Sequence, residues 1–555
     1  METLKNNLIL ISLFVFSALL VLPLLQPGFF NIHDDTQVQR VFEMKTALTD
    51  GTFPVRWVPN LGYGHGYPIF NFYAPLAYYI GAFFMFFGLN ALSATKLMIG
   101  IGAMSAGISM YFLGKEFWGK LGGLLSALLY LYAPYHALDI YVRGDIGEIY
   151  AYAFIPSIFY GLWKYYKTQK FLYLAIGSVS YAGVIASHNL TALMISPFIL
   201  FVSLVLLSKT RSLQILFIPV VGVLLASFYW LPALLEMNYT NVLSTIGGKA
   251  DFRDHFVCLR QLWDSPWMFG GSAPGCTDGL SFRLGKLHVL LASIAVLVFL
   301  AIFKKEKEKS LAIGISIALL LFSIFLMLDA SKFIWEKTPY MNFFQYPWRF
   351  LLASSFFASF IGGSIIYFLS RFESKKNKLL MIGIYLVLII LPIALYLKLF
   401  VPQSYLLKIS DDYTSQRSLK WTTSKISDEY LPRSFKAPEA EEEIIGDKIS
   451  GENINVTDQA LKTNKLSAMI ESPEDTRITI HTPYFPAWKY YINGKKVDVV
   501  EEDNGVSLSM PKGSNIVTAR FEETPVEKTG NLLSLSGVLG LLVGIIYAKQ
   551  KGSLR

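Results

Sequence analysis

The sequence is poor in charged residues and in cysteine. Only 16% of its 555 residues are charged, 53% are hydrophobic and two are cysteines, and its mean hydropathy is +0.44. A soluble globular domain carries about 25% charged residues, so this composition excludes an ordinary soluble protein. No heptad pattern, low-complexity tract or solenoid period occurs, which excludes a coiled coil and a repeat array.

Apolar runs recur from one end of the sequence to the other, each close to the ~20 residues that span hydrocarbon. They indicate a polytopic membrane protein. Lys5 precedes the first run, as in a signal peptide, but "LPLLQPGFF" offers no small-residue cleavage site and further runs follow, which predicts a retained first helix. The runs are 8–28, 71–89, 92–113, 121–138, 149–163, 171–187, 190–208, 213–233, 287–303, 310–328, 350–370, 379–400 and 530–548.

The net charge of +9 comes from lysines and arginines clustered in short loops between the apolar runs. This pattern reports membrane orientation, since basic loops stay in the cytoplasm, and it requires no nucleic-acid partner. All the basic clusters share one side with Lys5 if the run 71–89 does not span. That run is aromatic and contains Pro75 and Gly81, so we expect a helix at the outer interface. The sequence therefore predicts twelve spans in the cell membrane, with both termini cytoplasmic and the functional face extracytoplasmic.

Three regions follow from this topology. Residues 1–400 form a transmembrane domain, whose outer loop 29–91 carries an acidic motif and the interfacial helix. Residues 401–529 are more charged, and Asn493-Gly494 between two β-rich runs predicts a type I′ hairpin. Residues 530–555 form a final transmembrane helix and a cytoplasmic tail. The predicted fold class is mostly α, with a C-terminal extracytoplasmic β-sandwich-like domain docked on the bilayer-embedded part.

Both cysteines, Cys258 and Cys276, fall in the loop 234–286, which is predicted to be extracytoplasmic. A disulfide between them is expected in an oxidising compartment, and two free thiols are the alternative.

Four polar motifs lie on the predicted outer face. Singly, each has a structural explanation: Arg349 can snorkel to the interface, His188 can hydrogen-bond in a helix hairpin, and Asp145 can be solvated. Together they favour a site, because ionisable groups beside apolar helices are usually paired or functional. The motifs are "HDDTQVQR" (33–40), "YVRGDIGE" (141–148), "SHNLT" (187–191) and "FQYPWRF" (344–350).

The residue types in these motifs suit transfer of a group from a lipid phosphate. A carboxylate, Asp34 or Asp35, can accept a proton from an attacking hydroxyl, and Glu148 can orient an arginine or a substrate hydroxyl. Guanidinium groups bind phosphate oxygens in a bidentate manner, and aromatic residues around 63–79 can stack on sugars. The candidates for substrate binding are Arg40, His65, Arg143, Asp145, His188 and Arg349.

The order of a first helix, an outer acidic motif, an interfacial aromatic helix and an R-G-x-x-x-E loop resembles the GT-C glycosyltransferases. The stretch "GTFPVRWVPNLGYGHGYPIFNFYAPLAYYI" (51–80) looks closer to membrane proteins labelled 6-pyruvoyl-tetrahydropterin synthase-related. "QYPWRF" and "YFPAWKYYINGKKV" (484–497) resemble YfhO-type proteins of the same superfamily. The synthase label implies no pterin chemistry, since a pterin synthase is a small soluble zinc enzyme, whereas the seven histidines here are scattered.

The resemblance implies an inverting transfer of sugar from a polyprenyl-phosphate donor to a glycolipid, cell-surface polymer or protein, with Asp34 as general base. Arg143 and Glu148 match the second-loop motif, whose acidic member arranges the site or a metal, and Asp145 matches an aspartate of some oligosaccharyltransferases. The chain lacks a first-loop D-x-D and a W-W-D motif, which favours simpler sugar transfer. Arginines suffice for a monophosphate donor, whereas a diphosphate donor favours Mg²⁺ or Mn²⁺ at Asp34 and Glu148.

Two other functions fit the composition. A secondary transporter would place its ionisable groups near the bilayer midplane, with access from both sides. A non-catalytic scaffold would present the β-rich domain to polysaccharide or partner proteins and would have an outer cavity too shallow for a lipid-phosphate headgroup.

Overall fold

A computed structural model describes residues 2–245 and 250–550. The protein is mostly helical, because a helix satisfies its own backbone hydrogen bonds, as apolar surroundings require. In the described ranges the helices are α1 (Glu2–Leu20), α2 (Gln37–Thr49), α3 (Ile69–Phe72), α4 (Leu76–Phe86), α5 (Ala91–Leu131), α6 (Pro134–Leu138), α7 (Ile146–Thr168), α8 (Phe171–Ser187), α9 (Asn189–Thr210), α10 (Phe217–Leu225), α11 (Ser227–Leu235), α12 (Leu259–Asp264), α13 (Lys286–Ile302), α14 (Lys307–Met327), α15 (Lys332–Lys337), α16 (Leu351–Gly362), α17 (Ser364–Leu369), α18 (Lys378–Tyr396), α19 (Ser410–Thr414), α20 (Ser424–Ile426) and α21 (Pro525–Gln550).

Several of these helices are long and apolar enough to cross a membrane. By length and composition there are six in the described part of the chain, or seven if a pair bent by 66° is one span, so the predicted number of twelve is not confirmed. Other apolar runs form shorter helices, such as α8 and α13, which fall below the ~20 residues of a straight span. The six are Ala91–Leu131, Asn189–Thr210, Lys307–Met327, Pro347–Phe372, Lys378–Leu399 and Pro525–Gln550, and the bent pair is Leu213–Leu225 with Ser227–Leu235.

Helix α5 is interrupted at Gly119, whose φ of +73° is not helical. A Cβ atom on Gly107 would lie 2.4 Å from the side chain of Leu131, and one on Gly114 would lie 3.0 Å from the Cα atom of Gly123. In a straight helix Gly107 and Leu131 would be ~36 Å apart. The two halves of α5 therefore run antiparallel and pack through small residues, which agrees with the two separate runs predicted there.

The aromatic run 71–89 forms a short helix. Helix α4 has 11 residues, which is ~16 Å at 1.5 Å per residue and about half the thickness of a hydrocarbon core. Tyr73 separates it from α3 in an extended conformation. The helix is too short to cross the bilayer, and its interfacial position stays a prediction.

The basic loops gather at one end of the helical domain. Lys167, at the end of α7, forms an ion pair with Glu308 at 2.7 Å, and Lys164 pairs with Glu116 at 3.1 Å. Glu148 lies in the first turn of the same helix. The 23 residues of α7 span ~35 Å, so the basic loops and Glu148 lie at opposite ends of the helical domain.

The C-terminal region contains two antiparallel sheets. Their inward-facing apolar residues, such as Ile478 and Leu508 in one sheet and Ile470 and Val517 in the other, form one core. One sheet has the order β3-β6-β10-β9, the other β4-β5-β11-β7-β8, and β1 pairs with β2. The strands are β1 (Phe29–Phe30), β2 (Tyr405–Leu406), β3 (Ile449–Gly451), β4 (Asn455–Lys462), β5 (Lys465–Ser472), β6 (Thr476–Ile480), β7 (Trp488–Ile492), β8 (Lys495–Val497), β9 (Val500–Glu502), β10 (Gly505–Met510) and β11 (Gly513–Phe521).

The predicted hairpin is present between β7 and β8. Ile492 pairs with Lys495, which leaves a two-residue loop, and both Asn493 and Gly494 have positive φ, at 49° and 77°. Positive φ at both central positions is what a type I′ turn requires.

The sandwich begins later than the predicted boundary at residue 401. Residues 401–448 instead lie along the N-terminal outer loop, where Phe29 pairs with Leu406. Trp57 of that loop packs into the sandwich, with its ring centroid 5.6 Å from Trp488 and 6.0 Å from Phe485. The C-terminal region thus covers the outer loop, because apolar side chains of both meet in one core.

The remaining sequence features are placed as follows. Cys258 and Cys276 form a disulfide with a Cα–Cα distance of 5.6 Å. Helix α21 begins at Pro525 and ends at Gln550, and residues 551–555 of the predicted tail lie outside the described residues.

Candidate functional site

The first two polar motifs are joined through their main chains. The N–H groups of His33 and Asp34 donate to the carbonyl oxygens of Val142 and Arg143, both at 3.0 Å. The second motif turns sharply at Gly144, which has a φ of +67°. A Cβ atom there would lie 2.4 Å from Ile32, so only glycine permits this close contact.

Arg143 is the centre of a buried ion network. Its Nη1 atom donates to Asp139 at 2.7 Å and to Glu148 at 2.6 Å, and its Nη2 atom donates to Asp145 at 2.8 Å. Its guanidinium carbon lies 5.1 Å from the ring centroid of Trp348. Both terminal nitrogens of Arg143 are therefore engaged with carboxylates. Removal of one member of such a network leaves buried charges unpaired, which is strongly destabilising.

Asp145 caps helix α7. Its Oδ1 atom accepts from the N–H group of Glu148 at 3.0 Å, so the loop geometry places both carboxylates on the same side of Arg143. Burial would raise the pKa of Asp145, but its interactions with His188, Arg143 and Arg349 lower it well below the ordinary value. Asp145 is thus held ionised.

Arg349 approaches the same two carboxylates from the start of another apolar helix. Its Nη1 atom lies 3.5 Å from Oε2 of Glu148 and 3.7 Å from Oδ2 of Asp145. These contacts are longer than those of Arg143. The Nε atom of Arg349 is buried and has no hydrogen-bond partner among the described residues. Arg349 therefore retains donor capacity that Arg143 has already used.

Asp34 is partly exposed and faces this network. Burial and the negative charge of Asp145 raise its pKa, while Arg40, Arg143 and Arg349 oppose the shift. The Asp34 carboxylate thus lies within electrostatic reach of all three arginines. A raised pKa makes a carboxylate a stronger base near neutral pH.

Arg40 borders the site and contacts Tyr73, Tyr78 and Ser427. Its guanidinium carbon lies 4.3 Å from the ring centroid of Tyr73, and it donates to the hydroxyl of Ser427 at 3.0 Å and to that of Tyr78 at 3.4 Å. Its Nε atom is also buried without a partner in residues 2–245 and 250–550. Arg40 thus links the acidic motif to the C-terminal region.

Two of the candidate residues lie outside this network. Asp35 faces a neighbouring cavity, where Lys408 is its closest named charge. The ring of His65 lies 5.2 Å from Phe435 and 6.1 Å from His481, at the contact between the outer loop and the C-terminal region. The structure therefore brings together Asp34, Arg40, Arg143, Asp145, Glu148, His188 and Arg349, and separates Asp35 and His65 from them.

Sequence reasoning did not single out three members of the site. Asp139 lies one helical turn before Arg143, and this i,i+4 spacing of opposite charges is the feature by which it could have been found. The hydroxyl of Tyr135 donates to Glu148, and Trp348 covers Arg143. Neither aromatic residue stands out in an aromatic-rich sequence.

A cation could be considered at Asp145, Glu148 and His188, whose donor atoms lie within 4.8 Å of one another. The sequence predicted a metal ion at Asp34 and Glu148. The set found here contains Glu148 but not Asp34. The Nδ1 atom of His188 lies 2.7 Å from the hydroxyl of Thr191, and its Nε2 atom lies 3.6 Å from Asp145. Both carboxylates already accept hydrogen bonds from the guanidinium group of Arg143. The donor set therefore fits arginine better than a metal ion.

Comparison with known proteins identifies a family. The model of the 6-pyruvoyl-tetrahydropterin synthase related domain, described as a membrane protein, matches residues 70–400, which is more than half of the chain. The matched range includes Arg143, Asp145, Glu148, His188 and Arg349. It excludes Asp34 and the C-terminal sheets.

Two individual proteins are similar to this chain. An uncharacterized protein of Lactococcus lactis is 25% identical over 301 residues, which are 52% of this chain and 48% of that protein. The chain thus spans about half the length of this relative. The crystal structure of an apo oligosaccharyltransferase from Archaeoglobus fulgidus aligns with a TM-score of 0.44 and 13% identity, over 79% of this chain and 61% of that chain.

Proposed function

The chain belongs to the 6-pyruvoyl-tetrahydropterin synthase-related membrane proteins, and we propose that it is a membrane glycosyltransferase of the GT-C type. It moves a sugar from a polyprenyl-phosphate donor to an extracytoplasmic acceptor. One observation carries this proposal: a partly exposed carboxylate, Asp34, faces buried arginines, of which Arg40 and Arg349 each have an unused donor. This transfer requires a general base and a group that binds the phosphate.

In the proposed reaction Asp34 accepts the proton of the acceptor hydroxyl. The acceptor oxygen forms a bond to the anomeric carbon as the bond from that carbon to the phosphate oxygen breaks. The electron pair of the broken bond leaves with the phosphate, and the configuration at carbon is inverted. The raised pKa of Asp34 suits this role, because a stronger base accepts the proton more readily.

The arginines have different roles in this proposal. Arg349 binds the phosphate, since its Nε atom is unused and its contacts with Glu148 and Asp145 are long, at 3.5 and 3.7 Å. Arg143 is a positioning residue, because three carboxylates already occupy its terminal nitrogens. A guanidinium group neutralises a monophosphate without a metal ion, so we propose a monophosphate donor.

The location of the site supports an enzyme over a transporter. Glu148 lies in the first turn of α7, and Arg349 lies where an apolar helix begins, so both are at helix ends. A transporter would hold such groups near mid-depth. We place this end on the extracytoplasmic side with both termini in the cytoplasm, because the lysine-rich loops lie at the opposite end of α7.

The test is a profile of lipid-linked glycans from cells with and without the protein. We expect a polyprenyl-phosphate sugar to accumulate in its absence. Purified wild-type protein in nanodiscs should consume that lipid, and the Asp34→Asn variant should not. Identical profiles, with no consumption by the wild-type protein, would refute the enzyme and leave the scaffold that presents the C-terminal sheets.

A further inference from the structure

A cavity lined by Asp35 lies beside the acidic motif. Its volume is about 340 Å³, within the ~300–1,000 Å³ of small-molecule sites. It is formed between α2 and the segment 408–422. Its lining residues are polar or charged: Asp35, Gln39, Lys408, Asp411, Asp412, Tyr413, Ser415, Arg417, Ser418 and Thr422.

Two residues that line this cavity each have a buried polar atom with no hydrogen-bond partner among the described residues. The atoms are Oε1 of Gln39 and the hydroxyl of Tyr413, in residues that are 4% and 2% exposed. The Nε2 atom of Gln39 donates to Ser418 at 3.3 Å, which leaves Oε1 as the unused acceptor. Buried polar groups are nearly always paired. These two atoms therefore point to a ligand that hydrogen-bonds with both.

The negative charges of Asp35 and Asp412 act on the Tyr413 hydroxyl. Burial raises the pKa of Tyr413, and the negative charges of Asp35 and Asp412 raise it further. The phenol thus stays protonated, so it can donate to a ligand oxygen. Its ring lies 5.5 Å from the Nζ atom of Lys408. The cavity therefore offers donors and acceptors side by side.

The carboxylates of this cavity do not form a cation site. In the part of the chain that the structure describes, the donor atoms of Asp145, Glu148 and His188 meet at metal-ligand spacing, but those of Asp35, Asp411 and Asp412 do not. Asp412 is also used locally, since its Oδ2 atom accepts from the N–H group of Ile409 at 2.8 Å. Carboxylates that lie apart from one another can each accept a hydrogen bond from a different hydroxyl group of one ligand.

We propose that this cavity binds a neutral sugar ring, which belongs to the acceptor glycan. Its hydroxyls would donate to Gln39 Oε1 and to the Asp35 carboxylate, and accept from Tyr413. Asp35 directly follows Asp34, with consecutive Cα atoms ~3.8 Å apart, so an acceptor glycan of more than one sugar would extend from this cavity toward Asp34. The role as acceptor rests on the proposed function, whereas sugar binding itself does not.

Sugar binding is tested by saturation-transfer NMR on the purified protein in nanodiscs. The probes are the methyl glycosides of glucose, galactose and mannose, together with methyl glucosaminide as a cationic probe. At least one neutral glycoside should bind, and Gln39→Met, Tyr413→Phe and Asp35→Asn should each weaken it at least threefold. Gln403→Met and Tyr491→Phe are matched controls at exposed or distant positions and should bind as wild type. Thermal unfolding of each variant shows whether it is folded.

The outcomes separate this inference from the proposed function. Asp34→Asn should keep binding and lose transfer. Neutral-glycoside binding without any transfer by the wild-type protein would refute the enzyme and leave the sugar site standing. Transfer whose acceptor KM is unchanged in folded Tyr413→Phe and Asp35→Asn variants would overturn the sugar site. Binding of methyl glucosaminide alone, or of no probe, would overturn it as well.

Discussion

The main-chain N–H group of Asp34 donates to the carbonyl oxygen of Arg143, at a distance of 3.0 Å. This bond fixes the acidic motif against the ion network without use of the Asp34 side chain. The carboxylate therefore remains available for chemistry. A side-chain substitution at this position leaves the main-chain contact in place.

Asp34→Asn should abolish sugar transfer and preserve the fold. A general base contributes ~10²–10⁴-fold to the rate, and an amide cannot accept the proton. The measurement is turnover of the donor lipid by variants of equal thermal stability. The control is Asp329→Asn, a change at the start of a short helix outside the site, which should keep wild-type turnover. Near-normal turnover in the Asp34 variant would transfer the catalytic role to another residue, with Asp35 the first candidate.

Replacement by lysine should have different effects at Arg349 and at Arg143. Arg349→Lys should lose donor binding and transfer at normal stability, since a point charge cannot reproduce the fork of a guanidinium group. Arg143→Lys should also unfold more readily, by ~3–5 kcal/mol, because it breaks a buried network. The measurements are donor-lipid binding, sugar transfer and thermal unfolding of both variants. Full activity of Arg349→Lys would reduce that residue to an interfacial anchor beside Trp348.

Cysteine labelling tests the sidedness. Single cysteines at Lys167, Lys307 and Lys376 should be shielded from an impermeant thiol reagent in intact cells, while a cysteine at Asn493 should react. The reason is that basic loops stay in the cytoplasm, whereas Asn493 is at the tip of a hairpin in the C-terminal sandwich. Permeabilised cells, in which all four positions should react, provide the control. Reaction at the lysine positions in intact cells would overturn the topology.

The contribution of Glu43 to the stability of the protein should fall as pH rises from about 4.5 to 7. Burial raises the pKa of Glu43 from 4.5 to about 7, against two hydrogen bonds from Asn60. The folded state therefore holds a proton that the unfolded chain has released in this window, and stability is lost as pH increases. The contribution is on the order of 3 kcal/mol. Between pH 5 and 8 the Tm of Glu43→Gln should rise relative to that of the wild type, whereas Glu308→Gln, at an exposed position, should keep the wild-type dependence of Tm on pH. If Tm changed equally with pH in the wild type and in both variants, the raised pKa of Glu43 would be contradicted.

Local sequence features predicted local structure well. The Asn493-Gly494 turn depends on two adjacent residues that tolerate positive φ, so no distant contact is needed to specify it. The family was also predicted from short motifs, and it is confirmed by the match over residues 70–400. The convergence of the Asp34, Arg143 and Arg349 motifs follows from charge-based topology, since all three lie at the same predicted membrane face.

Features that depend on the course of the chain were not predictable. Hydropathy counts apolar runs but does not show where they bend, as between α10 and α11 at 66°. A count of runs is therefore not a count of straight spans. Asp35 and Asp34 look equivalent in sequence, yet Asp35 lines a cavity with Lys408, whereas Asp34 faces the ion network of Arg143. The contact of Arg40 with Ser427 joins residues 387 positions apart, and no local pattern reports such a pair.

The partners of Arg56 have a consequence for biosynthesis. This arginine of the outer loop donates to Asn71 at 3.1 Å and to Asn531 at 3.0 Å, and its Nε atom lies 3.7 Å from Glu527. Asn531 is translated 475 residues after Arg56, which takes roughly half a minute or more at ~5–20 residues per second. Throughout that interval the nascent outer loop carries a guanidinium group whose C-terminal partners do not yet exist. Assembly of the outer face is therefore a late, post-insertional event, and a ribosome that stalls before α21 leaves a membrane-inserted chain with an incomplete outer loop.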